Sequence, residues 1–337
     1  MSQSKTPTQT GTPADEKIDW IGSIPFFAVH LSVFAAFFTG VSWKAIGLCI
    51  ALYYGRMILL TIGYHRYFSH RSFKANRFVQ FLIAIGATLS AQKGVLWWAA
   101  NHRHHHRESD TPLDIHSPAQ KGFWFSHVGW ILCRKYNVTR FEAIRDFARY
   151  PELVWLDKYS LLPPTLLGVA IWLFGGWQML VVGFLWSTVL LWHGTFTINS
   201  LSHVYGTRRY KTTDTSRNNW LLALITCGEG WHNNHHYHQN TANQGWFWWE
   251  IDISYYCLKV AAWLGIIKDL RLPSHEVKYA FLKYTPEERA ELKAGGLVLN
   301  PTGKLKEKAE AARARLRDAL ADGPVAGPTP APVLKRQ

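Results

Sequence analysis

Histidine is placed in this chain in a way that few folds can accommodate. Gly228-Glu229-Gly230-Trp231-His232-Asn233-Asn234-His235-His236 carries one box. His65-Arg66-Tyr67-Phe68-Ser69-His70 and His102-Arg103-His104-His105-His106 carry two more, and each box follows an apolar run. The chain has 16 His, most of them in or beside these clusters. Neutral imidazole binds borderline metals such as iron, copper and zinc. So many nitrogen donors on one chain imply more than one metal ion, and the fold must gather segments from across the sequence to hold them.

The apolar runs suit a membrane. The chain is 48% hydrophobic, with 17 Trp, 14 Tyr and 18 Phe, yet its mean hydropathy is only −0.09, so a large polar part accompanies the spans. The net charge of +14 fits an anionic partner such as lipid headgroups or a phosphorylated carrier. It argues against nucleic acid, because the basic residues flank apolar runs. Cys49, Cys133, Cys227 and Cys257 are widely spaced, which gives neither a disulfide framework nor a zinc ribbon.

Residues 1–18 are polar, without a signal-peptide pattern, and read as disordered. Residues 24–41 and 45–64 form a first hairpin turning at Lys44, and 161–174 and 177–197 a second turning at Gly175-Gly176. Arg56 interrupts the second span, either as an interhelical tie or as a functional group. Residues 78–100 are nearly long enough to cross, but Gln92 and Lys93 interrupt them. A crossing there would put the first two boxes on opposite faces of the bilayer, so this stretch is expected to dip in or lie along the interface. The box loops carry the Lys and Arg, which places the boxes and both termini on the cytoplasmic side. The expected architecture is an all-α membrane protein. Four transmembrane helices in two hairpins and a cytosolic helical cap make up residues 19–272, followed by a charged tail, 273–337, helical over 279–295 and 304–321 and disordered beyond.

His102, His105 and His106 stand at i, i+3 and i+4 and share a helix face, as do His232, His235 and His236. His104 points roughly 200° from His102 and is left out. His65 and His70 would be roughly 140° apart on an ideal helix, so they converge only if the helix ends or bends, or else serve different ions. Past the last span, Asn199 and His203 are again i and i+4. His203 suits direct ligation, and Asn199 suits holding a metal-bound water. The nine imidazoles then suit two ions of four or five ligands each, with Glu229, Asn233 and Asn234 as candidates to orient the rings. His30 and His193 read as packed side chains, while His116, His127, His238 and His275 read as interfacial or supporting groups.

An all-nitrogen pair of sites suits zinc, copper or iron. Cleaving an unactivated C–H bond of an acyl chain calls for an oxidant made from O2, which favours iron, with hydrolytic zinc as the rival. The boxes, with Asn199-Ser200-x2-His203 and Phe125-Ser126-His127-Val128-Gly129-Trp130, resemble the membrane fatty-acid desaturases of the acyl-CoA Δ9 (stearoyl-CoA desaturase) type, most closely the bacterial branch. The resemblance covers roughly residues 24–272. It implies a di-iron centre held by nine His and a water on Asn199, with zinc able to replace iron in purified protein. It also implies insertion of a cis double bond, by the resemblance Δ9 on a C16–C18 chain, using O2 and two electrons.

The resemblance further implies carrier contacts at Arg134-Lys135 and a tunnel lined by Trp98. Ala100-Asn101 replaces the Arg-Asp of animal members, which leaves the carrier open between CoA and lipid. Electrons are expected from a separate acidic donor, a ferredoxin or cytochrome b5-like protein. Two rivals share parts of this logic: a membrane di-iron hydroxylase or alkane oxygenase, and a metal transporter, whose sites lie mid-membrane rather than past span ends.

Overall fold

The computed structural model describes residues 16–293 and Ala314. Among the described residues the chain is helical, with isolated β-bridges and no strands. The expected disorder of 1–18 stops short at the last three of these: Glu16 is buried and ion-paired to Lys121, and Ile18 bridges to Cys133. Residues 1–15 lie outside the described part.

Helix α1 spans Ile24–Thr39 and α2 spans Trp43–Ser69. The turn between them falls at Gly40–Ser42 rather than at Lys44, which sits inside α2. Gly40 has φ 70°, a left-handed conformation that glycine adopts without a Cβ penalty, and Ser42 caps α2 by accepting the Ala45 N–H. The stretch 78–100 does not form one helix. It breaks into α3, Arg77–Thr88, and α4, Val95–Glu108. Asp157 of α5, Pro151–Lys158, caps α4 by accepting the N–H groups of Leu96 and Trp97 at 2.8 and 2.9 Å.

The next run, α6, spans Leu162–His203 and with α2 is one of two helices long and apolar enough to cross a membrane. Gly176, at φ 72° and ψ −173°, breaks it at the expected position. A Cβ on Gly168 would lie 3.0 Å from the Phe184 ring, whereas a straight helix would separate these residues by about 24 Å. The run therefore doubles back. Gln178 joins the two turns, accepting from Ser42 Oγ at 2.6 Å and donating to Thr39 O at 3.1 Å. Arg56 is buried and ties α2 to α6 through Ser187 Oγ at 2.6 Å and Thr188 Oγ1 at 2.8 Å, the interhelical one of its two readings.

Helices α7, His232–Tyr237, and α8, Ile253–Trp263, complete the polar cap. The expected helix over 279–295 is interrupted. Thr285 and Glu288 form a reciprocal cap around Pro286, which starts α9, Pro286–Lys293. The segment packs on the cap, with Tyr210 Oη donating to Lys278 O at 2.7 Å. The expected helix over 304–321 and the Pro-rich end lie outside the described residues, Ala314 excepted.

Candidate metal centre

The last turns of α2 solve the geometry of the first box by a device the sequence reading did not include. Thr61–Ser69 is a π-helix, and His70 N–H donates to His65 O at 3.2 Å, an i to i+5 bond. The widened turn stacks residues five apart, and the two ring centroids lie 4.8 Å apart. The helix ends at Ser69, as the expectation that it ends or bends allows, and His70 is its C-cap.

The nine histidines singled out from the boxes converge in two groups. His65, His70, His102, His106 and His235 form one, and His105, His203, His232 and His236 form the other, with the ligand atoms of each group within 4.8 Å of one another. The i, i+3, i+4 spacing does not send three rings to one centre. Helix α4 gives His102 and His106 to the first group and His105 to the second, and α7 gives His235 to the first and His232 and His236 to the second. Both helices lie along the seam between the groups.

Carboxylates back the rings, a common means of fixing ligand orientation. Glu229 pairs with His65 Nδ1, as expected of it, and also accepts from Arg66 at 3.1 Å. Three aspartates that sequence reasoning missed do the same for the second group: Asp114 on His105 at 3.0 Å, Asp110 on His203 at 3.3 Å and Asp214 on His236 at 2.7 Å. Their signal was faint, since Asp110 and Asp114 merely follow the second box and Asp214 lies in a loop with no box. Asn233 and Asn234 play another part. Asn233 accepts the Arg209 and Tyr210 N–H groups, and Asn234 donates to Glu250, so both brace cap backbone and loops rather than rings.

Burial and the mutual repulsion of neighbouring rings hold His70, His102, His106, His232 and His235 well below the ordinary histidine range, in the neutral form that ligates. Burial alone would raise Asp110, Asp214 and Glu229, but their histidine partners overcome it and keep all three low. The donor set fits resident cations. Ring nitrogens meet at 2.9 to 3.1 Å within each group. His236 gives Nδ1–H to Asp214, and its buried Nε2 has no partner among the described residues. An all-imidazole set suits iron and also accepts zinc.

A largely apolar cavity of about 470 Å³ reaches this centre. Phe26, Val29, Phe184, Trp192 and Phe196 line its walls, and His102, His116 and Asn199 stand in it. Trp98 lines it too and stacks on His102, centroids 4.8 Å apart. Arg134 and Lys135 do not line it. Arg134 is exposed and 3.8 Å from Asp19, and Lys135 lies 3.2 Å from Glu16. His104 stands outside both groups, bonded to Leu113 O. His30, His193 and His127 form a hydrogen-bonded chain, and His116 packs 4.3 Å from the His105 ring. His275 packs against the Tyr279 ring, and His238 belongs to neither group.

The family model for fatty acid desaturases matches residues 41–256. The chain belongs to the fatty acid desaturase family. Similar relatives include a sn-2 palmitoyl-lipid 9-desaturase of Nostoc sp. (strain 36), 37% identical over 75% of this chain and 90% of the relative. A sn-1 stearoyl-lipid 9-desaturase of Anabaena variabilis is 35% identical over 77% of this chain and 97% of the relative. An acyl-CoA C20 Delta5-desaturase of Anemone leveillei is 37% identical over 71% and 78%. Desaturases are oxidoreductases, and family membership with the two apolar helices marks this desaturase as a membrane protein.

Proposed function

We propose that this desaturase inserts a cis double bond at the Δ9 position of a saturated C16–C18 acyl chain, using O2 and two electrons from a separate donor. The single observation behind this reading is the pair of buried imidazole groups at the end of an apolar cavity. Two irons held by His65, His70, His102, His106 and His235, and by His105, His203, His232 and His236, would supply the oxidising power for C–H cleavage. The chain's own residues do the rest. Phe26, Phe184 and Trp192 exclude water from the acyl chain, and Trp98 fixes the His102 ring against it. Asp110, Asp114, Asp214 and Glu229 orient four of the rings. Asn199, in α6 and in the cavity wall, would hold a metal-bound water.

In this reading α1, α2 and the two arms of α6 are the four spans, α3 and the loop after it lie along the interface, and the cap faces the cytoplasm. The basic cap surface receives an acidic donor, a ferredoxin or a cytochrome b5-like protein. The relatives' names cover acyl-lipid and acyl-CoA substrates alike, and both 9-desaturases quoted above are acyl-lipid enzymes. The test is expression in a strain that lacks unsaturated fatty acids, followed by analysis of free, CoA-bound and lipid-bound acyl pools. New Δ9 unsaturation is expected, and a hydroxy acid without unsaturation would contradict it.

A further inference from the structure

The cavity has a second polar feature, away from the histidines. The loop Leu89–Gly94 between α3 and α4 holds two non-glycine residues in left-handed conformation, Ala91 at φ 55° and Lys93 at φ 63°, and both line the cavity. Such backbone is unfavourable and persists where its surroundings over-determine it, often at ligand clamps. Here the bracing is visible. Tyr64 Oη donates to Lys93 O at 2.7 Å, and Asp157 stands so close to Gly94 that a Cβ there would lie 1.9 Å from its Oδ1.

The braced loop sets one ammonium in the cavity wall. Lys93 Nζ lies 4.6 Å from the Trp97 ring centroid and donates to Asn137 Oδ1. Among the described residues it has no carboxylate partner. The acidic residue that shares this wall, Asp19, is engaged with Gly22 N–H at 3.0 Å and with Arg134 at 3.8 Å. Burial pushes the Lys93 ammonium down to about 8, so it remains mostly charged at neutral pH. A half-buried cation whose partners are neutral, in a largely apolar chamber, is complementary to an anion.

We propose that Lys93 and Asn137 clamp the phosphodiester of a glycerophospholipid whose acyl chain occupies the cavity. The proposal rests on the desaturase reading for the orientation of that chain. In a glycerophospholipid the phosphate lies a few bonds from the acyl ester. In an acyl-CoA the whole pantetheine arm separates phosphate from thioester. From Val95 to His102, α4 advances about 10 Å, comparable to an extended chain between an ester carbonyl and its ninth carbon. Phosphate at Lys93 thus sets the ester near the loop and the ninth carbon near His102. A CoA phosphate at Lys93 would instead fill that path with the pantetheine arm.

The test is lipid binding to the full-length purified protein by native mass spectrometry, with phosphatidylglycerol, diacylglycerol of the same chains, and stearoyl-CoA as probes. Wild type is expected to prefer phosphatidylglycerol over diacylglycerol by at least about tenfold, the worth of one charge-assisted contact. Lys93→Met should bring that ratio close to one, Lys93→Arg should restore it, and stearoyl-CoA binding should move much less than phosphatidylglycerol binding. Competition by millimolar inorganic phosphate as strong as by the lipid would show a free-phosphate site and overturn the lipid assignment. An unchanged ratio in Lys93→Met, or an equal loss for stearoyl-CoA, would overturn the clamp. Since binding is read without turnover, a protein that shows the selectivity but desaturates nothing refutes the reaction and supports the clamp.

Discussion

The two imidazole groups share α4 and α7 but are built differently. The group of five has one carboxylate behind it, Glu229 on His65, and the buried Nδ1 atoms of His106 and His235 have no partner among the described residues. The group of four has three, Asp114, Asp110 and Asp214, so only the His232 ring lacks a carboxylate. Hydrogen bonding to a carboxylate makes an imidazole a stronger donor and fixes its tautomer. The smaller group therefore has one ring fewer but more negative charge behind its rings. The larger group relies on number, on the π-helical turn that pairs His65 with His70, and on Trp98 against His102.

The largest effects should come from removing a ring. His106→Ala and His203→Ala should each lower desaturation by more than about a hundredfold, beyond what loss of an outer partner costs. Each should also cost one metal equivalent from its own group, measured by elemental analysis. Loss of both ions from either variant would show one cooperative site rather than two. Next come the backing carboxylates. Asp114→Asn and Asp214→Asn should weaken metal retention in the group of four by about ten- to a hundredfold and spare the group of five, as read by chelator competition. Equal weakening of both groups would erase the distinction.

A third effect is pH-dependent. His70, His102, His106 and His235 have folded values below the ordinary 6.5, so the unfolded chain binds more protons as acid is added. The metal-free protein should therefore lose stability as pH falls through about 6.5 and below, seen as a falling melting temperature between pH 8 and pH 5. A flat profile would mean that these rings are not held neutral. The smallest effect belongs to Trp98. Trp98→Leu should leave metal content intact and reduce desaturation only several-fold, since ring stacking contributes about 1 kcal/mol.

Much of this was legible in the residues because ligand chemistry is local. The boxes, the left-handed turn at Gly176 and the break within 78–100 follow from residue type and spacing. What was hidden depends on three-dimensional pairing. No local pattern separates a π-turn from an α-turn at Thr61–Ser69, because only the i to i+5 bond distinguishes them. The division of α4 and α7 between two groups depends on how the helices face each other. Asp214 meets His236 across a loop whose path no periodicity records. The turn placed at Lys44 shifted to Gly40–Ser42 because a left-handed glycine and a serine cap end one helix and start the next more decisively than a charge does.

The most direct measurement is anomalous diffraction at the iron edge from crystals of the protein purified with iron. Two peaks are expected, one enclosed by His65, His70, His102, His106 and His235 and the other by His105, His203, His232 and His236. A single peak, or peaks away from these rings, would contradict the two-group centre.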